Sequence, residues 1–302
     1  MRVSLIAVPY DLGRADVGSG RGPAAYLKAG AAETLRARGH EVEIVTVKRE
    51  AAFSDELQAV LDVNAAVAVA VDEAVFADSL PLVVAGNCNV TLGVQAGLQR
   101  AGDGDAALVW LDAHGDFNTP ATTETGYLDG MPLAMLCGRA YREAFERELE
   151  AEPLAEQAIV HAGGREFDRE ELDSLLSSAI VLVDGGELRA RGPAEALAPA
   201  LDALAVGRRD VAALEPPDAP QAHLHVDLDV LDPTAAPGVT FPSPRGLSAA
   251  QLLEAIDLVR ERFTLVAVTV TSFTPDRDEA GTTLAAGLAV LQRVTTELAR
   301  RP

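Results

Sequence analysis

The chain has few basic residues for its size. Only 25 of its 302 residues are lysine or arginine, against 46 aspartates and glutamates, and the formal net charge is −21. Proteins that bind nucleic acid or an anionic membrane need clustered cations to neutralise phosphates, so this balance argues against both partners. The excess of acid is compatible with the binding of a cation and does not by itself demonstrate it.

Cysteines and long apolar runs are also scarce. The two cysteines, Cys88 and Cys137, are too few for a disulfide framework, and reduced thiols in a cytoplasmic protein are the simpler interpretation. Charged residues or glycine interrupt every apolar run before it reaches the length of a membrane span. The apolar run near the amino terminus is too short for a signal peptide. We therefore expect a cytoplasmic protein.

What the sequence does contain is a regular alternation of short apolar runs and longer helix-like segments. The apolar runs are rich in valine, isoleucine and leucine and mostly lack a polar face, as in strands buried on both sides. They are 3–8, 42–47, 80–86, 107–112, 158–163, 179–184, 223–229 and 264–273, and the predicted helices are 23–38, 54–78, 90–101, 140–151, 194–205, 249–262 and 282–299. This alternation predicts one α/β domain over residues 1–302, with a mainly parallel sheet covered by helices on both faces. Ligands of such sheets usually bind beyond the carboxyl ends of the strands.

One apolar run ends in alternating acidic and imidazole side chains. The segment LVWLDAHGDFNTP (108–120) places Asp112, His114 and Asp116 two residues apart, so in a strand they would share one face. Such groups repel or desolvate one another when they are partly buried, unless a cation lies among them. A metal site is one interpretation. The alternative is a solvated loop in which Asp116 and Asn118 merely end the strand.

Two further strand ends carry similar chemistry. In HLHVDLDVLDPTAAPG (223–238), Asp227 and Asp229 again lie two residues apart, with His223 and His225 further back on the same face. In AGNCNVTLG (85–93), Asn89 stands at the start of a helix. Carboxylate, imidazole and amide donors together favour Mn²⁺ or Mg²⁺ over Zn²⁺, whose structural sites prefer thiolate.

These segments resemble the metal motifs of the ureohydrolase family, the arginases and agmatinases. The resemblance extends to PYDLG and GSGRGP near the amino terminus and to GREFD at 164–168, and it covers nearly the whole chain. It implies a three-layer α/β/α fold with a mainly parallel, eight-stranded sheet. It further implies two Mn²⁺ ions bridged by hydroxide, hydrolysis of a guanidino carbon–nitrogen bond that releases urea, and a homo-oligomer, a trimer or a hexamer.

The same resemblance assigns roles to five residues. Asp112 and Asp227 are expected to bridge the two ions, Asp116 to bind the first, and His114 and Asp229 to bind the second. The hydroxide would attack the planar carbon of the substrate while the metals stabilise the developing charge.

The chain departs from the family pattern at three positions. Asn89 stands where we place the family's histidine ligand of the first metal, and a neutral amide is a weaker ligand. Asp129, in DGMP, replaces the proton-transferring histidine of HGMP, so Asp129 and Asp116 are the candidate catalytic carboxylates. Ser272 replaces the glutamate that binds the guanidinium group, and loss of that charge removes an interaction that is strong when desolvated.

The opposite end of the predicted substrate pocket keeps more of the pattern. DFNTPATTETG (116–126) resembles the arginase loop that holds an α-amino acid, with Asn118, Thr123 and Thr125 facing the carboxylate and Asp168 the amino group. Asn-Thr-Pro and Thr-Thr are also common in ordinary turns.

These retained and altered positions predict a metal-dependent hydrolase of linear carbon–nitrogen bonds. Its substrate would be a modified arginine-like amino acid, such as an N-hydroxyguanidine, or an amidino or formimino compound, and its product urea or a urea derivative. The alternative is a catalytically silent ureohydrolase relative with a binding or regulatory role.

Two residues near the predicted metals keep alternative interpretations. Cys88 could line the site or be a small buried apolar group. His225 could approach the first metal, orient one of its ligands or Asn89, or be a core histidine.

Overall fold

The computed structural model describes residues 1–49, 52–211 and 219–296. Within these ranges eight strands form one sheet, and a separate small hairpin pairs Tyr10–Asp11 with Arg14–Ala15. The eight strands, numbered in chain order, are β1 (Arg2–Val8), β2 (Glu41–Thr46), β3 (Ser79–Ala85), β4 (Ala107–Leu111), β5 (Ile159–Ala162), β6 (Val181–Val183), β7 (Gln221–Asp227) and β8 (Thr264–Thr271).

The sheet order is β2-β1-β3-β8-β7-β4-β5-β6, and every neighbouring pair is parallel. The strand prediction is thereby confirmed, with ends that differ by one to a few residues. The central strands are buried because helices cover both sides of the sheet: all five residues of β4 are buried. The edge strand β2 is the contrast, with most of its residues exposed.

Successive residues of the central strands contact opposite helical layers. Leu5 of β1 and Leu82 of β3 belong to the apolar cluster beneath the first and last helices, whereas their neighbours Ile6 and Val83 belong to a cluster on the other face. The pleat alternates side chains in this way, so each face receives its own apolar layer. The three-layer α/β/α architecture is confirmed.

Twelve helices are present in the described ranges. They are α1 (Gly22–Lys28), α2 (Ala31–Ala37), α3 (Glu56–Phe76), α4 (Thr91–Ala101), α5 (Pro132–Leu136), α6 (Arg142–Leu149), α7 (Arg169–Leu176), α8 (Gly185–Arg191), α9 (Pro193–Ala196), α10 (Ala198–Val211), α11 (Ala249–Arg262) and α12 (Thr282–Thr295). No helix in the described part of the chain is both long and apolar enough to cross a membrane.

Some helix predictions need correction. The predicted helix 23–38 is interrupted at Gly30, whose left-handed backbone (φ 79°) starts α2. The predicted helix 194–205 is divided between α9 and α10, and α5, α7 and α8 were not predicted. Ser248 starts α11 as predicted, in a capping box with Gln251. The last three residues of the predicted helix 282–299 lie outside the described residues.

The strand order determines where the candidate site lies. Strands β3, β8, β7 and β4 are neighbours at the centre of the sheet, although they come from distant parts of the sequence. Because all are parallel, their carboxyl ends meet at one edge. The chain leaves that edge at Gly86, Ser272, Leu228 and Asp112, so the three acidic or amide-bearing motifs and Ser272 converge there.

Candidate metal centre and active site

The acidic residues after β4 and β7 come together with one imidazole. His114 Nδ1 lies 3.0 Å from Asp229 Oδ2 and 3.6 Å from Asp112 Oδ1. One potential ligand atom from each of these three residues lies within 4.8 Å of the others. The backbone N–H of His114 also donates to Asp112 Oδ1 at 2.7 Å. Three of the predicted metal ligands are therefore adjacent.

Asp227 lies at the junction of three strand ends. Its Oδ1 accepts a hydrogen bond from the Asp229 backbone at 2.8 Å. Its Oδ2 lies 2.8 Å from Cys88 Sγ and 3.4 Å from Thr271 Oγ1, and it also accepts a bond from the Ser272 hydroxyl. These contacts orient a buried carboxylate toward the centre of the cluster, as a shared metal ligand requires.

The convergence comes from loop geometry rather than from the strand face that the sequence suggested. Strand β4 ends at Leu111, and Asp116 has a left-handed backbone with φ of 50°. Asp229 lies in a 3₁₀ turn, Leu228–Val230, that follows β7. The two-residue spacing of these side chains in the sequence thus predicted which residues are neighbours, but turns after the strands bring them together.

The cluster contains more negative charge than its own cations neutralise. Burial raises the pKa of Asp116 well above its usual range, and the charges of Asp112 and Asp129 raise it further. Burial likewise raises the pKa of Asp229, with Asp227 and Asp112 adding to the effect. A divalent cation would neutralise these carboxylates, and the donor set suits one.

His114 is the one cluster member whose charge opposes this excess. Burial alone would lower the pKa of its imidazole, but the charge of Asp229 and hydrogen bonds to both carboxylates outweigh burial and raise it to about 12. Burial alone would raise the pKa of Asp112, but bonding to His114 outweighs it and lowers the value to about 2. The imidazole of His114 and the carboxylates of Asp112 and Asp229 therefore favour each other's charged forms.

The turn after β3 directs Asn89 and Cys88 to different partners. The backbone N–H and the side-chain amide of Asn89 both donate to Asp129 Oδ1 at 2.9 Å. The side chain that faces the carboxylates is the preceding one, because Cys88 Sγ lies 2.8 Å from Asp227 and 3.8 Å from Asp112. The turn thus places the thiol of Cys88 beside the carboxylates, and the weak ligand role of Asn89 stays a prediction.

Asp129 holds this turn in place. Its Oδ1 accepts the two bonds from Asn89, and its Oδ2 accepts bonds from Asn87 Nδ2 at 2.9 Å and from the Cys88 backbone at 3.3 Å. The carboxylate is buried, and burial raises its pKa to about 8 against the opposing effect of these bonds. With both oxygens engaged, Asp129 orients the turn that carries Cys88, and the catalytic role predicted for it stays a prediction.

A second group of potential ligands lies beside the first. A ring nitrogen of His225, Cys88 Sγ and a carboxylate oxygen of Asp112 all lie within 4.8 Å of one another, and all three residues are buried. The His225 ring stacks on Trp110 with centroids 3.7 Å apart, and Trp110 Nε1 donates to Asp112 at 3.0 Å. Thr91 Oγ1 lies 2.9 Å from His225 Nδ1. Trp110 and Thr91 were not recognised in the sequence, because each reads as an ordinary strand or helix residue.

The predicted amino-acid loop is closed by internal hydrogen bonds. Asn118 Nδ2 donates to Asp168 Oδ2 at 2.9 Å, which joins the loop to the start of α7. Thr123 Oγ1 accepts from the backbone of Thr125 and Gly126, and Thr125 Oγ1 accepts from the backbone of Tyr127. Asn118 and Asp168 are therefore neighbours, as a shared substrate subsite requires, and the two threonines have turn-forming partners of their own.

Ser272 occupies the end of β8 with a left-handed backbone, φ 67°, and its hydroxyl donates to Asp227. It places a neutral hydroxyl beside a carboxylate and offers no negative charge to a cationic substrate.

Arg165 was also missed in the sequence. It donates to backbone carbonyls on both sides of the site, including those of Gly163 at 3.2 Å, Asp229 at 2.9 Å and Ser243 at 2.8 Å. A lone arginine after a strand gives no pattern from which this role could be predicted.

Known proteins resemble this chain over nearly its whole length. The family model described as "Arginase family" matches residues 1–296. An arginase from Bacillus subtilis is 30% identical over 264 residues, 85% of each chain, and an N(omega)-hydroxy-L-arginine amidinohydrolase from Streptomyces lavendulae is 30% identical over 243 residues, 78% of this chain and 79% of that protein. A crystal structure of the B. subtilis arginase superposes with a TM-score of 0.85 at 28% identity and covers 99% of this chain and 100% of that one. The chain belongs to the arginase family, whose enzymes hydrolyse carbon–nitrogen bonds in linear amidines.

Proposed function

We propose that this protein hydrolyses an arginine-like amino acid whose guanidino group is modified, an N-hydroxyguanidine in the first place. Water adds to the guanidino carbon, the bond to the side-chain nitrogen breaks, and that nitrogen leaves with a proton as an amine. The other product is the corresponding urea derivative. The single observation that carries the proposal is Ser272, a neutral residue hydrogen-bonded to Asp227 at the strand end where a guanidinium-pairing glutamate is expected.

The residues that would hold two Mn²⁺ ions are brought together by β4, β7 and the turn after β3. They are Asp112, His114, Asp116, Asp227 and Asp229, joined by Cys88 in place of Asn89. When bound, the ions would make water nucleophilic at neutral pH and polarise the amidino group. The protein contributes orientation: Trp110 and Ser272 fix the carboxylates of Asp112 and Asp227 through hydrogen bonds.

The missing glutamate determines which substrate suits the site. A hydrogen bond to a charged group contributes about 1.5–3 kcal/mol, so its loss weakens the binding of a guanidinium substrate by roughly 10- to 150-fold. Hydroxylation makes a guanidine less basic. A neutral N-hydroxyguanidine does not need a carboxylate partner, so the absence of the glutamate costs it less binding free energy.

The amino-acid end of the substrate is proposed to lie against the loop of Asn118, Thr123 and Thr125, with Asp168 toward the amino group. The bond between Asn118 and Asp168 supports a common subsite. The family resemblance also supports a homo-oligomer, a trimer or a hexamer.

The test compares three substrates on the Mn²⁺-loaded protein: Nω-hydroxy-L-arginine, L-arginine, and agmatine, which lacks the carboxylate. We expect kcat/KM for the hydroxylated amino acid to exceed that for arginine by about 10-fold or more. We expect agmatine to be the poorest. Arginine as the better substrate would refute the proposal. Absence of any urea-type product from fully metal-loaded protein would indicate the catalytically silent relative instead.

A further inference from the structure

The candidate metal centre contains an imidazole to which the proposed function assigns no role. His225 is fully buried in β7, two residues before Asp227, and its ring is fixed on both sides. Trp110 stacks on one face, and Thr91 Oγ1 bonds Nδ1 at 2.9 Å. The other ring nitrogen, Nε2, is buried without a hydrogen-bond partner among the described residues.

An unpartnered buried nitrogen is costly, about 1–3 kcal/mol, and such groups in native proteins often mark a bound ion or water. Its neighbour His223 shows the usual solution: both of its ring nitrogens have partners, Gln95 and Thr269. The two histidines have the same strand parity and the same burial, so burial in β7 alone does not explain the free nitrogen of His225.

The His225 ring lies beside a thiol and one carboxylate, and the thiol contacts a second carboxylate. Cys88 Sγ, Asp112 and a ring nitrogen of His225 lie within 4.8 Å of one another, and Asp227 is 2.8 Å from the same sulfur. Cys88 alone would be an isolated buried cysteine. Together with an imidazole that lacks a partner, it forms half of a four-donor set.

We propose that Cys88 and His225 bind one divalent ion together with Asp112 and Asp227, with the carboxylate of Asp116 beside them, and that this first metal position takes Zn²⁺ more tightly than Mn²⁺. Coordination through Nε2 leaves Nδ1–H free to donate to Thr91, which accounts for both ring nitrogens. The thiol releases its proton to solvent when the metal–sulfur bond forms. The inference rests on the metal centre of the proposed function and not on its substrate.

The donor chemistry supports this choice of ion. Thiolate and imidazole are typical zinc ligands, and zinc accepts four-coordinate sites of Cys, His and carboxylate. Mn²⁺ favours sites of carboxylate and carbonyl oxygens. The second metal position is richer in oxygen ligands and therefore suits Mn²⁺ better. Its residues are Asp229, Asp227, Asp112 and His114.

The test uses Co²⁺ as a spectroscopic substitute for Zn²⁺ in metal-depleted full-length protein. We expect near-ultraviolet thiolate-to-cobalt charge-transfer absorption that saturates at one ion per chain. The absorption should persist in Cys137→Ser, since that thiol lies outside the cluster, and disappear in Cys88→Ser. Co²⁺ binding without this absorption in the wild-type protein would overturn the proposal, whether or not Cys88→Ser folds.

The role of His225 has its own readout. A histidine bound to Co²⁺ gives a strongly shifted, exchangeable ring N–H resonance in the proton NMR spectrum. We expect two such resonances, from His114 and His225, and the loss of one in His225→Gln but of none in the matched control His223→Gln. Two unchanged resonances in His225→Gln would exclude His225 as a ligand.

Competition dialysis tests the choice of ion. With Zn²⁺ and Mn²⁺ at equal concentration, one equivalent of Zn²⁺ should be retained, and Cys88→Ser should lower Zn²⁺ affinity by at least about 10-fold. Retention of Mn²⁺ alone would refute the preference. None of these readouts depends on turnover, so a failed substrate assay and a failed metal assignment are distinguishable.

Discussion

Replacing Asp129 by alanine should destabilise the turn that presents Cys88 to the metal centre. The carboxylate accepts bonds from two backbone N–H groups, those of Cys88 and Asn89, and from the side-chain amides of Asn87 and Asn89, at 2.9–3.3 Å. Each backbone donor left buried without a partner costs about 1–3 kcal/mol. The amides can turn toward other acceptors and add less. The variant also avoids the desolvation cost of a buried carboxylate, which offsets part of this destabilisation. We therefore expect a net decrease of about 2–4 kcal/mol in the free energy of unfolding.

The measurement is denaturant unfolding of the metal-free protein, with the midpoint read at constant m-value. Glu124→Ala is the matched control, since this exposed acid lies in the adjacent loop and should change stability by no more than about 0.5 kcal/mol. The metal-loaded Asp129→Ala protein should also bind its first ion more weakly. If Asp129→Ala keeps full stability and full metal content but loses turnover, then Asp129 transfers protons and its assignment as a positioning residue is wrong.

Two further predictions concern the carboxylate at the strand junction and the arginine behind it. Asp227→Ala should remove most bound metal and all hydrolysis, because we propose that this carboxylate is shared by both metal positions. Unchanged metal content by elemental analysis would contradict the assignment. Arg165→Met should lower the free energy of unfolding by about 2–4 kcal/mol, because the carbonyls of Asp229, Ser243 and their neighbours lose a charged donor. The control is Arg147→Met, at an exposed arginine. Equal unfolding midpoints for the two variants would show that the Arg165 hydrogen bonds contribute little to stability.

The sheet was predictable from the sequence because its strands are buried on both faces. Such strands are mostly apolar along their length, and that pattern is visible without any alignment. The side of the sheet at the carboxyl ends of the strands was predictable as the ligand-binding side for the same reason, because polar residues follow the apolar runs only where the chain leaves the core.

The missed helices are short, and two of them, α7 and α8, lack a long apolar stripe. Helices α7 (REELDSLL) and α8 (GGELRAR) bury only a few side chains and are held by capping residues such as Asp184, which accepts a bond from Glu187. Their formation depends on packing against the rest of the fold, which periodicity does not record.

The difference between Asn89 and Cys88 shows where sequence reasoning stops at the site itself. A tight turn can direct any one of several consecutive side chains inward, and a shift of one residue exchanges an amide for a thiol. The direction is set here by four hydrogen bonds to Asp129, forty residues away in the chain. Only the folded turn reveals which residue faces the metal position.

The order of strands in the sheet has a consequence for how the chain assembles. Strands β1 and β3 lie on one side of the pair β8-β7, and β4, β5 and β6 lie on the other, so the two sheet halves share no pairing until the carboxyl-terminal strands insert between them. During synthesis, the ribosome therefore releases the segment with Cys88, Asp112 and His114 long before β7 and β8 can pair with it. Contacts of such sequence separation form late and slowly. Metal capture should accordingly be among the last events of biosynthesis, coincident with closure of the sheet.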